Sequence, residues 1–313
     1  MKPSEIRGWC AVGLSTLIAC FWAFWGIIEN FHEGWYARAL WQNLALMLVQ
    51  YLSFPLVFMT AAVVGIRFPR VGGTLHFAMA GFAIWFFGNA GRGVLLPTIL
   101  APLILIGALY WTSEFPHRQL AMRIALGLPL LTMILCGAEP AYRVSQRHDD
   151  GYRGARSISG NGVELTWAPA GPGWPNSGVS WFEAVRRCRY LSADGMSLAT
   201  TPQNLWRLPT VDEAVRSMGL HGKNCGGTWN ASAARAEYRQ TPDKESPLWD
   251  LHSQVIYWWT ATERSPQEAL IIVYDGKVWP RRKTSHWGYL GFRAVRNRLP
   301  GAEQTPTARS IPG

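Results

Sequence analysis

The stretch WRLPTVDEA, Trp206 to Ala214, decides how the C-terminal half of the chain is read. A Pro-Thr pair follows an apolar Trp-Arg-Leu step, and Glu213 stands three residues after Thr210. That is the spacing of a capping box, in which each side chain satisfies the other residue's backbone N–H, so a helix is expected to start at Thr210. Val211, Ala214, Val215 and Met218 then fall on one inner side. Such a stretch belongs to a water-soluble domain.

The N-terminal half has a different character. Trp9–Ile28 is uncharged and long enough to cross a hydrocarbon core. Leu44–Gly65, Val71–Gly88 and Val94–Trp111 are further apolar runs, and Ile124–Ala138 is a shorter fifth, bracketed by Arg123 and Glu139. The expectation is a transmembrane helical bundle of about five spans over residues 1–140. The first run ends in the bulky AFWGIIENF, with no small-residue cleavage site, and reads as a retained anchor. With the N terminus inside, Lys2, Arg7, Arg67, Arg70, Arg118 and Arg123 are cytoplasmic, and only Arg38 and Arg92 fall outside. Five spans then place residues 141–313 outside the cytoplasm, as a periplasmic domain of a multi-pass protein of a bacterial inner membrane. The fifth run decides the compartment, since four spans would leave the domain inside.

None of the five runs contains Asp, Glu, Lys or Arg. Gln50, His76 and Asn89 are the notable polar residues, and helix–helix hydrogen bonding or an interfacial position accounts for them better than a proton path. Pro55, Pro97, Pro102 and Pro129 imply bent helices whose freed carbonyls need neighbours. An anchor or docking bundle fits this pattern better than a transporter.

The net charge of the 313 residues is +10, of which +3 lies in residues 1–140 and +7 beyond them. Acids are interspersed with the bases, and neither a basic helix nor an aromatic-basic RNA motif is present, so nucleic acid is not an expected partner. A surface facing acidic lipid headgroups or glycans is the simpler reading.

Residues 141–157 read as a polar linker, with His148-Asp149-Asp150 a solvated charge run rather than a metal site. Val163–Ala168 alternates as a strand does. Ser180 with Glu183 forms a second capping box, opening a helix to about Leu191 with Phe182, Val185, Cys188 or Arg189, and Leu191 inward. Val255–Thr260 and Ala269–Tyr274 read as strands, the latter turning back to Lys277–Trp279 through Asp275-Gly276, a strong hairpin signal. Tyr289–Val295 is expected as one last strand. Two helices with scattered strands and long loops make an α+β domain over residues 158–298, followed by a disordered tail, 299–313.

GVSWFEAVRRC (Gly178–Cys188), WRLPTVDEA, YWWTATE (Tyr257–Glu263) and GYLGFRAVR (Gly288–Arg296) together resemble the sulfatase-modifying-factor superfamily of formylglycine-generating-enzyme-like domains. The likeness is closer still to the lectin-like C-terminal domains of bacterial surface proteins, and it covers about residues 155–298. It implies a fold of C-type-lectin type, with two helices, a twisted mixed sheet and much irregular loop. It also implies that the Arg-Leu-Pro-Thr step is structural. Trp181, Trp206 and Trp258 are expected in the core rather than on a ligand platform.

Formylglycine-generating enzymes hold copper with a cysteine pair near their C-terminal end, and no cysteine follows Cys225 here. The iron-dependent sulfoxide synthases of the superfamily use a His-rich helical domain, and no His-x3-His-x-Glu pattern is present. His221, His252 and His286 are isolated in sequence and read as surface residues. Asn230-Ala231-Ser232 matches a glycosylation acceptor, which carries little weight in a chain resembling bacterial proteins. No catalytic residue, metal or cofactor is therefore assigned. The expected function is a membrane-anchored binding module for a glycan, a peptide or a membrane protein partner. The alternatives are a sulfatase-modifying-type or other metal-dependent enzyme with unrecognised chemistry, and a structural subunit of a membrane complex.

Cys188 and Cys225 are the only cysteines of the soluble half, and an oxidising compartment would join them in a disulfide worth roughly 3–4 kcal/mol. The alternative is that Cys188 points inward as a free core thiol. Two loop segments are the candidate ligand sites. Asn224–Glu245 offers Trp229, Asn230, Asp243 and Glu245. Arg281–Trp287 offers Arg281, Arg282, Lys283, His286 and Trp287, a basic-aromatic group suited to an anion. Against these stand core packing by Pro247, Leu248 and Trp249 and a merely solvated basic hairpin tip.

Overall fold

A computed structural model describes residues 1–87 and 96–298. Asn89, Arg92, the start of the fourth apolar run and the tail 299–313 lie outside the described residues. The chain divides into two compact units, one of Met1–Trp35 with Ala39–Ser145, the other of Tyr36–Arg38 with the chain from Gln146 onward.

The first unit is helical: α1 (Pro3–His32), α2 (Leu40–Leu46), α3 (Ser53–Arg67), α4 (Pro69–Phe87), α5 (Ala101–Trp111) and α6 (Arg118–Gln146). By length and composition, α1 and α6 can cross a membrane. The second apolar run is broken rather than continuous. Leu40–Tyr51 and Ser53–Arg67 meet at a 62° bend and make a third span only if taken together. The break falls just before Pro55, which has no N–H to offer the preceding turn, and a π-helical turn, Met47–Tyr51, absorbs the misfit. Leu96–Leu100 is likewise π-helical ahead of Pro102.

The fifth run is longer than its sequence suggests. It lies inside the 29-residue α6, which contains Pro129 and Pro140 and continues to Gln146, six residues into the expected linker. Close packing in this unit rests on small residues: a Cβ on Gly72 would meet Gly65 Cα at 2.1 Å, and one on Gly65 would meet the Tyr110 ring at 2.7 Å. His76 is buried, bonds the Gly72 carbonyl one turn back at 2.8 Å and stacks on Tyr110, while Ser15 Oγ donates to Tyr110 Oη at 3.2 Å.

The second unit is sheet-rich. β1 (Arg156–Gly160), β2 (Val163–Trp167) and β11 (Val295–Asn297) form one antiparallel sheet in the order β1-β2-β11. β10 (Leu290–Gly291), β7 (Tyr257–Glu263), β8 (Glu268–Val273) and β9 (Val278–Arg282) form a second, in that order, with β10 parallel to β7 and the other pairs antiparallel. Two small hairpins complete the strands, β3 (Gly219–Leu220) with β4 (Lys223–Asn224) and β5 (Thr228–Asn230) with β6 (Arg235–Glu237). The helices are α7 (Trp181–Tyr190) and α8 (Val211–Ser217).

The Thr210 capping box forms in full, whereas at Ser180 only the N-cap bond forms, because Arg186 and Arg187 take the Glu183 carboxylate. Glu213 N donates to Thr210 Oγ1 at 3.2 Å while Thr210 N donates to Glu213 Oε2 at 2.8 Å, and Glu183 N donates to Ser180 Oγ at 3.3 Å. The Asp275-Gly276 hairpin also forms, with Gly276 at a φ of 85°, where a side chain would strain the turn.

Trp258 and Trp259 explain why the domain has two cores. Consecutive strand residues point to opposite faces. Trp258 therefore packs with Trp167, Trp249, Ile272 and the inner side of α8, and Trp259 packs with Ala184, Cys188, Trp206 and Phe292. Trp206 and Trp258 are core residues, as expected, and Trp181 is half-buried with its Nε1 donating to Thr260 O at 2.9 Å. The inner side of α7 matches the expected one at Cys188 and Leu191 but not at Phe182 and Val185. Ala184 and Cys188 face the core, while Phe182 and Val185 are exposed. Small residues let the helix approach Trp259.

The expected last strand is two strands. Leu290–Gly291 pairs with β7 and Val295–Asn297 with β2, so the chain crosses from one sheet to the other at Phe292–Ala294. Arg293 holds the crossing. Fully buried, it stacks on Trp174 at 3.6 Å, and it donates to the carbonyls of Ala168 (2.9 Å), Pro247 (3.1 Å) and Leu248 (2.5 Å). Arg207 reinforces the same region: its backbone exchanges hydrogen bonds with Val295, and its guanidinium grips Glu213.

Candidate functional site

The two expected ligand segments have different fates. In the first, the acids are committed to the fold. Arg147 pairs with Asp243 at 2.8 Å. Glu245, 2% exposed, accepts from His148 N at 3.1 Å and from His221 N, with His221 Nδ1 at 3.3 Å. Arg153 bridges Asp149 (2.8 Å) and Asp250 (2.6 Å), Arg156 pairs with Asp150, and Ser246 Oγ donates to Asp150 at 3.0 Å. Residues 147–156 are therefore a strap clamped to the loop 243–253, and His148-Asp149-Asp150 is not a solvated charge run. Hydrogen bonds from Arg153 hold the Asp149 carboxyl well below the usual carboxylate range. Among the described residues no group of three or more His, Cys, Asp or Glu could hold a metal ion.

Within the clamp, Lys244 is enclosed. Its Nζ donates to Ser253 O at 2.5 Å, and burial, then the nearby Arg147 charge, lowers its pKa to about 7. Trp229 packs against the first core, and Asn230 Oδ1 accepts from Ser232 Oγ (2.8 Å) and Ala233 N (3.0 Å), closing its own turn. The segment Asn224–Glu245 thus supplies a clamp and a hairpin rather than a gathered ligand site. Leu248 and Trp249 pack in the core beside it.

Cys188 and Cys225 are free and buried, and no disulfide joins them. Cys188 sits in the second core, where burial pushes its thiol up. Cys225 is raised to about 11 by burial and then by the Glu245 charge. Both shifts disfavour the thiolate at neutral pH, the form in which a cysteine is a nucleophile.

The basic segment is divided by the alternation of an edge strand. β9 lies at the end of its sheet and shows its outer edge to solvent. Trp279 and Arg281 stand opposite Ile271 and Ala269, which face the second core, so both lie on the α7 side of the sheet. Arg282 points to the other side. Lys283 returns to the α7 side but is buried; its ammonium pairs with Glu263, donates to Pro266 O at 3.0 Å and lies 4.6 Å from the Trp181 ring centre. Lys283 is thus a structural lysine and does not join the expected basic group. Arg281 is half-buried and lies over the Trp287 ring at 5.4 Å; its Nε is buried without a hydrogen-bond partner among the described residues, so the terminal nitrogens are what it can offer a ligand. His286 is exposed, with Nδ1 3.1 Å from Thr284 O.

Trp279 and Trp287 are 46% and 51% exposed, and Phe182, edge-on to Trp181, is 53% exposed. The result is a surface of Trp279, Arg281 and Trp287, in which Arg281 has no carboxylate partner among the described residues. In the sequence, the only signal for Trp279 is its alternation with Val278 and Pro280 along β9. Phe182 looks like a core position on a helical wheel. Comparison with known protein families, with curated proteins and with solved structures finds no match to this chain.

Proposed function

We propose that the chain is a membrane-anchored interaction module. A helical anchor of about five spans carries an extracytoplasmic α+β domain related to the formylglycine-generating-enzyme-like and lectin-like domains, in a bacterial inner membrane. The domain binds through the β9 edge and the loop that follows it. One observation carries this reading: Arg281 lies beside two exposed tryptophans with no carboxylate partner among the described residues, whereas the acids and arginines of the strap neutralise one another. A guanidinium stacked on an indole offers in-plane donors to a phosphate, sulfate or carboxylate, with flat apolar area around it.

Retention of the detergent-solubilised full chain on immobilised polyglutamate and on a sulfated oligosaccharide tests the reading. R281Q/W287A elutes at lower salt than the natural protein, and R282Q, altered on the other side of the strand, changes elution less. Identical elution of all three proteins sinks the proposal. The topology has its own test, since protease added to intact spheroplasts removes residues beyond the anchor. Protection until lysis would put the domain in the cytoplasm.

A further inference from the structure

Resting on that anionic-surface reading, we infer that the surface of Trp279, Arg281 and Trp287 docks on an anionic lipid bilayer. Three features select a bilayer over a soluble acidic partner. The first is composition. Trp279 and Trp287 are about half exposed, and both are large aromatics on the α7 side of the β9 sheet. Indoles are enriched at the headgroup level, where an apolar body and a polar N–H are both accommodated.

The second is the cation at the centre. Arg281 is stacked on Trp287 at 5.4 Å, and no carboxylate of the described residues pairs with it. The nearby Glu263, on the same side of the sheet, is neutralised by Lys283. The terminal nitrogens of the guanidinium are therefore available to a lipid phosphate, within a C-terminal part carrying a net +7. The third is supply. The same chain contains two helices long and apolar enough to cross a membrane, which keep a bilayer at high effective concentration, so that a weak contact suffices.

The edge position of β9 fits this role. An unpaired strand edge invites pairing with other chains, and Pro280, lacking an N–H, blunts it. What remains for recognition is the side-chain face rather than the backbone. Gly178 anchors the loop that brings Trp287 back to Arg281: a Cβ there would meet Trp287 O at 1.7 Å.

Hydroxyl-radical footprinting of the full chain in lipid nanodiscs, read by mass spectrometry at Trp279 and Trp287, tests the inference. Oxidation of both falls severalfold in discs of mixed phosphatidylcholine and phosphatidylglycerol relative to phosphatidylcholine alone, and added salt restores it. R281Q shifts the docked-to-undocked ratio by about fivefold toward undocked, the worth of one basic side chain near an anionic surface. Equal oxidation in the two kinds of disc overturns the lipid assignment. If soluble polyglutamate then protects the two tryptophans in phosphatidylcholine discs, the anionic-surface reading stands and only the bilayer falls. If polyglutamate protects neither, both fall together.

Discussion

The strap and the β9 edge start from similar materials. Each is a short run of arginine and aromatic residues, but the strap carries Asp149 and Asp150 within it, and no acid stands between Gly276 and Trp287. In the folded domain they are opposites. Arg147, Arg153 and Arg156 each find a carboxylate, and the strap becomes an internal tie. Arg281, half-buried, finds an indole and no acid among the described residues. The strap is neutralised partly by its own acids, Asp149 and Asp150, and partly by Asp243 and Asp250 about a hundred residues away, whereas among the described residues neither source supplies a carboxylate to Arg281.

The largest expected effect breaks the internal side of this contrast. Arg293→Ala leaves the carbonyls of Ala168, Pro247 and Leu248 without their donor and opens a hole against Trp174. A loss of about 3–5 kcal/mol is expected, visible as a drop in the unfolding midpoint of the full chain in detergent. A midpoint within a degree of the natural protein would mean that the crossing between the sheets does not depend on this side chain.

Lys244 sharpens the contrast through pH. Its folded pKa of about 7 lies below the ordinary 10.5 because burial disfavours the ammonium. Between those values the unfolded chain holds a proton that the folded chain does not, so Lys244 makes stability rise with pH from about 7 to 10.5. Below pH 7 both states are protonated and this group adds no further slope. Lys244→Met, which removes the cost of burying the ammonium, raises stability at neutral pH and flattens the rise. Parallel stability–pH curves for the two proteins would contradict the assignment.

The smallest effects compare the two regions directly. Arg153→Gln removes one guanidinium from two carboxylates in a partly buried setting and costs about 1–2 kcal/mol. Arg281→Gln, at the edge, costs less than about 0.5 kcal/mol while weakening retention on anionic supports. Equal destabilisation by both substitutions would make Arg281 another structural residue and remove the reason for treating β9 as a binding surface.

Local signals were legible wherever a few neighbouring residues carry the physics. The capping box at Thr210, the N-cap bond at Ser180, the Asp275-Gly276 hairpin and the inner side of α8 depend on spacing within one or two turns and form as read, while the reciprocal half of the Ser180 box gives way to Arg186 and Arg187. The apolar content of the helical unit was equally plain, although its second run is broken near Pro55 and its last is part of a longer helix.

Sequence alone determined that an apolar helical region is joined to an α+β domain with capped helices, because hydrophobic periodicity and caps are short-range properties. Tertiary structure alone decided the roles of individual charges and thiols. Asp243 and Glu245 became part of a clamp because a strap roughly a hundred residues earlier supplies Arg147 and the His148 N–H. Lys283 was withdrawn from its basic neighbours by Glu263, twenty residues away across the sheet. Cys188 and Cys225 stayed free, with Cys188 drawn into the second core by a helix that turned its small residues inward. Which side chains lie within a few ångströms of one another depends on how the whole chain closes, and electrostatic and covalent partnerships act only at that range.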